Sequence, residues 1–202
     1  HCNKMAIDLK EELELNEHSF MVDIAGNDGT LLNEFRDVIN LKVLNVDPAN
    51  NLVAISESKG IESIADFWSL PIANKILKEK GGADLITATN VFAHVDNVKE
   101  FILSAKVLLK EKSGVLVLEF PYLVDFIENY EFDTTYFEHL SYFSVTPLAA
   151  LCNATGMKIV SVKKQNIHGG TIRVMIANKN AIGLTQDGSV KSFIEHERKL
   201  GY

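Results

Sequence analysis

Short apolar runs alternate with stretches of helical spacing along most of the chain. Leu9, Leu13 and Leu15 stand among acidic residues and predict a short amphipathic helix over 7–15. Phe20-Met21-Val22-Asp23-Ile24-Ala25 is an apolar run closing on Gly26, which reads as a buried strand. Leu31, Leu32 and Phe35 follow at helical intervals. Residues 42–47 form a second strand pattern, closed by Pro48, and Leu52, Val53 and Ile55 predict a helix ending at Gly60. A short strand is expected over 61–67 and a stronger one over 83–89. Val98, Ile102, Ala105 and Leu109 mark a helix, and Ser113-Gly114 turns the chain into an apolar strand over 115–120.

Strands that are apolar along their whole length are buried on both faces, as in a parallel sheet covered by helices. Right-handed crossovers then build a doubly wound α/β sheet. Past Pro121 the pattern changes. Residues 122–143 are rich in aromatics and acids without clean periodicity, and read as an inserted helix with loops. A helix over 147–155 ends at Gly156. Two late strands, 158–164 and 171–178, are joined by Ile167-His168-Gly169-Gly170, and a charged helix spans 190–200 with its charges expected in solvent. The expected division is a core domain over 1–180 and a C-terminal helical segment over 181–202.

Composition narrows the partners. Of 202 residues, 47% are hydrophobic and 23% charged, the profile of a globular domain. The net charge of −7 and the lack of a basic stripe argue against nucleic-acid binding. Cys2 and Cys152 cannot by themselves form a disulfide framework or a four-ligand zinc site, so no metal is expected and a reducing, cytoplasmic compartment fits best. No apolar run reaches the roughly 20 residues of a membrane span, so no membrane partner is expected. The pattern leaves the oligomeric state open.

The chemistry starts at the first strand-to-helix turn, Asp23-Ile24-Ala25-Gly26-Asn27-Asp28-Gly29. In such a fold a ligand binds beyond the carboxyl ends of the strands, and small residues let the backbone come close to it. The acid-x-Gly-x-Gly-x-Gly fingerprint for adenosylmethionine is met at Gly29, while Ala25 and Asn27 occupy its other two glycine places. An ordinary tight turn is the competing reading. Asp47, about 20 residues further, ends the second strand, where a carboxylate can accept both ribose hydroxyls. It could equally cap the next helix, since Asp47-Pro48 is a good helix start. Adenosylmethionine has no pyrophosphate and does not demand the glycine-rich turn, so the loop favours it over NAD.

Asn90 and His94 follow the fourth predicted strand and fall at the same edge. A histidine there can hydrogen-bond a substrate oxygen or move a proton, or can be a capping residue. The densest segment is Phe132-Asp133-Thr134-Thr135-Tyr136-Phe137-Glu138-His139-Leu140-Ser141-Tyr142-Phe143. Tyr136 and His139 are three apart and share a face on a helical turn, with Glu138 beside them. Phenol, imidazole and carboxylate together suit proton abstraction next to a carbonyl; an aromatic core segment with a surface Glu-His pair is the bland alternative. Near His168, two glycines permit either a close approach to a ligand or a plain hairpin.

Six segments, in order, resemble the S-adenosylmethionine-dependent sugar C-methyltransferase family, which acts on nucleotide-linked deoxy-keto-sugars. They are Val-Asp-Ile-Ala-Gly-Asn-Asp-Gly-Thr-Leu-Leu (22–32), Val-Asp-Pro (46–48), Ala-Asp-Leu-Ile-Thr-Ala-Thr-Asn-Val-Phe-Ala-His-Val (83–95), Glu-Phe-Pro-Tyr-Leu (119–123), Phe-Asp-Thr-Thr-Tyr-Phe-Glu-His-Leu-Ser-Tyr-Phe-Ser (132–144) and His-Gly-Gly-Thr-Ile-Arg (168–173). The resemblance implies a Rossmann-like class I methyltransferase fold, mostly parallel with its last strands antiparallel. It implies S-adenosylmethionine as cofactor and S-adenosylhomocysteine as product. Cofactor contacts would fall to Ala25, Gly26, Asn27, Gly29, Asp47, Asp66, Phe67 and Asn90. His139, Tyr136 and Glu138 would be catalytic, His139 as general base, with His94 and His168 on a nucleotide-sugar substrate. Two positions depart from the family's pattern: Phe137 stands where it usually has His, and Ala25 where it usually has Gly. Family members also carry a cysteine-rich zinc region before this core and a further α/β region after it, so the chain, which starts at His1, is expected to be a core fragment or a short version. The competing functions are an O- or N-methyltransferase of the same fold, an NAD-dependent enzyme, and a cofactor-binding protein without activity.

Overall fold

The computed structural model describes residues 1–167 and 169–202. In chain order the elements are α1 (Cys2–Glu12), β1 (Phe20–Ile24), α2 (Thr30–Ile39), β2 (Lys42–Val46), α3 (Asn50–Ser58), β3 (Ser63–Ile64), α4 (Leu70–Lys80), β4 (Leu85–Thr89), α5 (Val98–Leu108), β5 (Val115–Pro121), α6 (Leu123–Glu128), α7 (Val145–Thr155), β6 (Met157–Gln165), β7 (Thr171–Asn178) and α8 (Gly188–Leu200). The strands form one sheet in the order β3-β2-β1-β4-β5-β7-β6. β3, β2, β1, β4 and β5 run parallel, and β7 runs antiparallel to both β5 and β6. The doubly wound sheet and its antiparallel end are as the sequence predicts. The winding reverses direction between β1 and β4, which opens a crevice at their carboxyl ends.

Alternate residues of each strand enter two cores. Phe20, Val22 and Ile24 join Leu44, Ile86, Leu116 and Leu118 beneath α4, α5 and α7. Met21, Leu85, Val115 and Val117 lie on the opposite face against Met5 and Leu9 of α1 and Leu32 and Phe35 of α2. This two-sided burial explains the continuous apolar strands.

Helix α4 has no counterpart in the expectations from periodicity. Its apolar positions Ile72, Ala73 and Ile76 are all buried, but Pro71 reads locally as a breaker. In the first turn a proline costs nothing, because the N–H it lacks would have no partner there. β3 keeps only two of the residues expected over 61–67. The charges of α8 are not all in solvent as expected. Val190 and Glu197 are buried, and the helix packs on β6 and α7. Among the described residues no helix is long and apolar enough to cross a membrane.

Candidate active site

Between β1 and α2 the chain makes a tight turn held from below. Ala25, Asn27 and Gly29 take positive φ angles of 54°, 49° and 76°. The Ala25 N–H donates to the Val46 carbonyl at 2.8 Å. The Asn27 peptide is gripped on both sides by the β2 end: its N–H donates to Asp47 Oδ2 at 3.0 Å, and its carbonyl accepts from Asn45 Nδ2 at 3.0 Å. Asp47 Oδ1 accepts from the Ala49 N–H at 2.8 Å, at the start of α3. Asp47 thus closes the helix start, as the capping reading expects, and holds the turn as well; it is buried at the end of β2. A Cβ on Gly26 would stand 2.6 Å from Asn45 Oδ1 and 2.8 Å from Asp23 Oδ2, so any other residue there would have to displace those buried side chains.

Asp23 was not singled out as a site residue, although it heads the loop. It is fully buried and accepts from Thr87 Oγ1 of β4 at 2.6 Å. Burial pushes its carboxyl up to about 7, opposed by the Thr87 hydrogen bond and helped by the Asp47 charge.

The loop forms one wall of a cleft of about 390 Å³. Val46, Pro48, Phe67, Trp68 and Phe101 supply apolar walls, and Ala25, Val91 and His94 also line it. Asp96 and Glu100 add carboxylates to the lining. Phe67 is 73% exposed, an apolar surface left open beside the cleft. Its N–H is turned in by Asp66 Oδ1 at 2.8 Å. Trp68, missed in the sequence, is fixed by its indole N–H to the Phe101 carbonyl at 3.3 Å. Asn90, also at positive φ (55°), lies off this cleft in an adjoining pocket with Thr89, Glu119, His1 and Cys2.

The second cluster hangs over the mouth. His94 ends a 3-10 turn, Phe92–His94. Leu140 and Ser141 both donate their N–H to the Ala93 carbonyl, at 2.9 and 3.2 Å, which draws the 132–143 insert onto that turn. His139 and His94 rings lie 5.0 Å apart and His94 and Tyr136 6.4 Å apart. His139 Nδ1 is 2.8 Å from the Thr134 carbonyl, which can only accept, so Nδ1 carries the proton. In the neutral ring Nε2 is then an acceptor, and it receives the Tyr136 hydroxyl at 2.9 Å. Burial and the nearby His139 push the His94 imidazole down, and Glu138 opposes this. His94 is therefore held toward its neutral form.

Glu138 itself is exposed and makes no hydrogen bond among the described residues. It touches the cluster through its charge alone. Phe137 is 96% exposed, so this departure from the family's pattern points out of the dyad. His168 lies outside the described residues. Sequence reasoning also missed a buried ion pair at the end of β5, where Arg173 Nε donates to Glu119 Oε1 at 2.5 Å and His1 Nε2 meets Glu119 Oε2 at 2.7 Å. No local pattern signals it, because Glu119 sits in an otherwise apolar strand.

Strand order, turn and cleft define a Rossmann-like class I methyltransferase fold. Solved structures share it. A magnesium protoporphyrin IX methyltransferase of Synechocystis PCC 6803 with bound SAH aligns over 88% of this chain and 81% of its own, at 12% identity and a TM-score of 0.65. A SAM-dependent methyltransferase of Anabaena variabilis aligns over 87% and 84%, at 18% identity and a TM-score of 0.66. The family model described as "Methyltransferase domain" matches residues 3–162, and the chain belongs to that family. The family and the aligned structures with bound SAH or SAM support S-adenosylmethionine as the cofactor. The chain is also 32% identical over 177 residues to C-methyltransferase NovU of Streptomyces niveus. That match covers 88% of this chain and 42% of the relative, so the chain spans less than half of its length. The site fits the cofactor: apolar walls suit a purine, Asp47 stands at the strand end, and Asp96 and Glu100 complement a cationic nucleoside.

Proposed function

We propose that this chain is the core of a C-methyltransferase that alkylates the carbon next to the keto group of a nucleotide-linked deoxysugar. The observation that carries the reading is the Tyr136–His139 hydrogen bond, with the His139 tautomer set by Thr134, 5.0 Å from His94 at the cleft. Methylation of carbon needs a proton removed first, whereas many oxygen and nitrogen acceptors do not. A phenol–imidazole pair beside a neutral histidine supports that demand. The likeness to the sugar C-methyltransferase segments and to C-methyltransferase NovU supports it as well.

When bound, S-adenosylmethionine supplies an electrophilic methyl group. The Tyr136 hydroxyl first turns from His139 Nε2 to the ketone oxygen, which frees the one Nε2 lone pair. Nε2 then takes the proton from the carbon beside the ketone, the C–H electron pair passes into the enolate, and the Tyr136 hydroxyl donates to the developing oxyanion. The Thr134 carbonyl steadies the imidazolium through Nδ1–H. His94, kept neutral, donates to or accepts from sugar oxygens, and Glu138 tunes it electrostatically. Phe67, its N–H held by Asp66, and the Ala25–Asn27–Gly29 turn would hold the cofactor, with Asp47 at its ribose, while Asn90 stands off this cleft. The enolate carbon would then take the methyl group from the sulfonium, the C–C bond forming as the S–CH3 bond breaks and S-adenosylhomocysteine leaves, with the sheet edge supplying alignment.

The test is transfer of labelled methyl from S-adenosylmethionine to a panel of nucleotide keto-sugars. A product with a new carbon–carbon bond, lost in His139→Ala, is the expected result. Label found on oxygen or nitrogen, or unchanged turnover in His139→Ala, overturns it.

A further inference from the structure

The insert that carries Tyr136 and His139 leaves the sheet at Tyr122 and returns at Val145, the first residue of α7. Its two ends lie side by side. The Leu123 N–H donates to the Phe143 carbonyl at 2.9 Å, and Tyr122 and Phe143 form a parallel bridge. One carboxylate from far along the chain ties these ends together. Glu197 of α8 is fully buried. Its Oε1 accepts from the Tyr122 hydroxyl at 2.9 Å and from the Val145 N–H at 2.6 Å, and its Oε2 accepts from the Thr146 N–H at 2.8 Å.

Two physical details make this a designed-in contact rather than surface chance. The cap residue of α7, Ser144, makes no side-chain capping bond. Glu197 thus serves the orphan N–H groups of the first turn, and the positive end of the helix offsets its charge. A buried carboxylate is costly unless its oxygens are well hydrogen-bonded, and three donors serve them here. Phe193, one turn earlier on α8, packs edge-on against the Tyr122 ring with centroids 5.4 Å apart. Burial and the adjoining Glu197 push the Tyr122 phenol up, so it stays protonated and remains a donor.

We propose that Glu197 is a positioning residue: through Tyr122 and the start of α7 it fixes the root of the insert, and so the placement of the Tyr136–His139 pair over the cofactor cleft. It touches neither substrate nor cofactor. The inference rests on the reading of the Tyr136–His139 pair given above. A carboxylate that merely stabilised the fold would loosen the whole sheet when removed, whereas a positioning carboxylate loosens the insert first.

The experiment compares the wild-type chain with Glu197→Gln, Glu197→Ala and Tyr122→Phe. Amide hydrogen exchange is read without substrate, alongside S-adenosylhomocysteine affinity and, where an acceptor is known, kcat. The expected result is exchange accelerated by about tenfold over 123–146 in Glu197→Ala. Exchange over 20–47 and cofactor affinity stay unchanged, and kcat falls by a similar factor without a matching rise in KM. Tyr122→Phe, which removes one donor and keeps the carboxylate, shows the same pattern more weakly, and Glu197→Gln lies between. Exchange that stays unchanged in the insert, or rises equally across the sheet, overturns the proposal. If Glu197→Ala does not fold, the Tyr122→Phe and Glu197→Gln arms decide. Exchange changes as expected with no methyl transfer to any keto-sugar would sink the proposed function and leave the positioning role standing.

Discussion

Asp23 near the end of β1 and Thr87 in the middle of β4 share a buried 2.6 Å hydrogen bond beneath the turn between β1 and α2. Burial raises the folded pKa of Asp23 from 3.8 to about 7. In the folded chain it therefore binds a proton that the unfolded chain releases near pH 4. The stabilisation linked to this group is fully present below the unfolded value and is lost as pH rises toward 7. Asn at this position keeps an acceptor for Thr87 but does not titrate. The stability difference between wild type and Asp23→Asn, from denaturant midpoints at several pH values, should shift against wild type between about pH 4 and 7. A flat difference across that window contradicts the protonated state.

Ala25 pays a conformational penalty in the turn. A non-glycine residue at φ 54° costs about 1 kcal/mol. Ala25→Gly should stabilise the chain slightly, by less than about 1 kcal/mol after the extra backbone entropy of glycine. Differential scanning calorimetry, read together with cofactor affinity, checks it. A clear loss of stability would show that the methyl group packs usefully.

Gly26 has the opposite constraint. A methyl group there would meet Asn45 Oδ1 and Asp23 Oδ2 inside 3 Å, so these buried side chains, each hydrogen-bonded in place, or the turn itself must shift. Gly26→Ala should weaken S-adenosylhomocysteine binding by about tenfold or more, measured by titration calorimetry, at a stability cost of about 1–3 kcal/mol. Unchanged affinity would mean that the turn does not hold the cofactor.

Tyr136→Phe and His139→Ala probe the pair over the cleft. His139→Ala should lower kcat by about 10²–10⁴-fold, the usual worth of a general base. Tyr136→Phe should lower it less, because the imidazole remains. Cofactor affinity should be unaffected in both, since neither residue lines the cleft. Steady-state kinetics with the acceptor found in the panel would separate the two.

Arg173 tests the buried ion pair. Its side chain and that of Glu119 are only 4% and 1% exposed. Removing Arg173 takes a counterion 2.5 Å from a buried carboxylate, and Arg173→Met should destabilise the chain by about 3 kcal/mol in urea unfolding. A near-neutral effect would show that the remaining contacts of Glu119 carry its charge.

Local pattern fixed most of the element order, because period and apolar content follow directly from which face each residue presents. The strands of the parallel sheet, the turn after β1 and the acid after β2 were all legible. So was the pairing of Tyr136 with His139, which depends on a three-residue spacing: a single turn, closed by the His139 N–H to the Tyr136 carbonyl, brings them together. The same spacing turns Glu138 out to solvent. Helix α4 was not legible, since a proline at a helix start and a proline at a break look alike without the rest of the fold. Only the tertiary structure placed partners that lie far apart in the chain. Glu197 reaches Val145 and Tyr122 across 52 and 75 residues, and Arg173 reaches Glu119 across 54. It also decided that the Asp47 oxygens hold both the loop and the start of α3. Such contacts depend on strand register and helix docking. These are set by the packing of two whole cores, and no window along the chain contains that information.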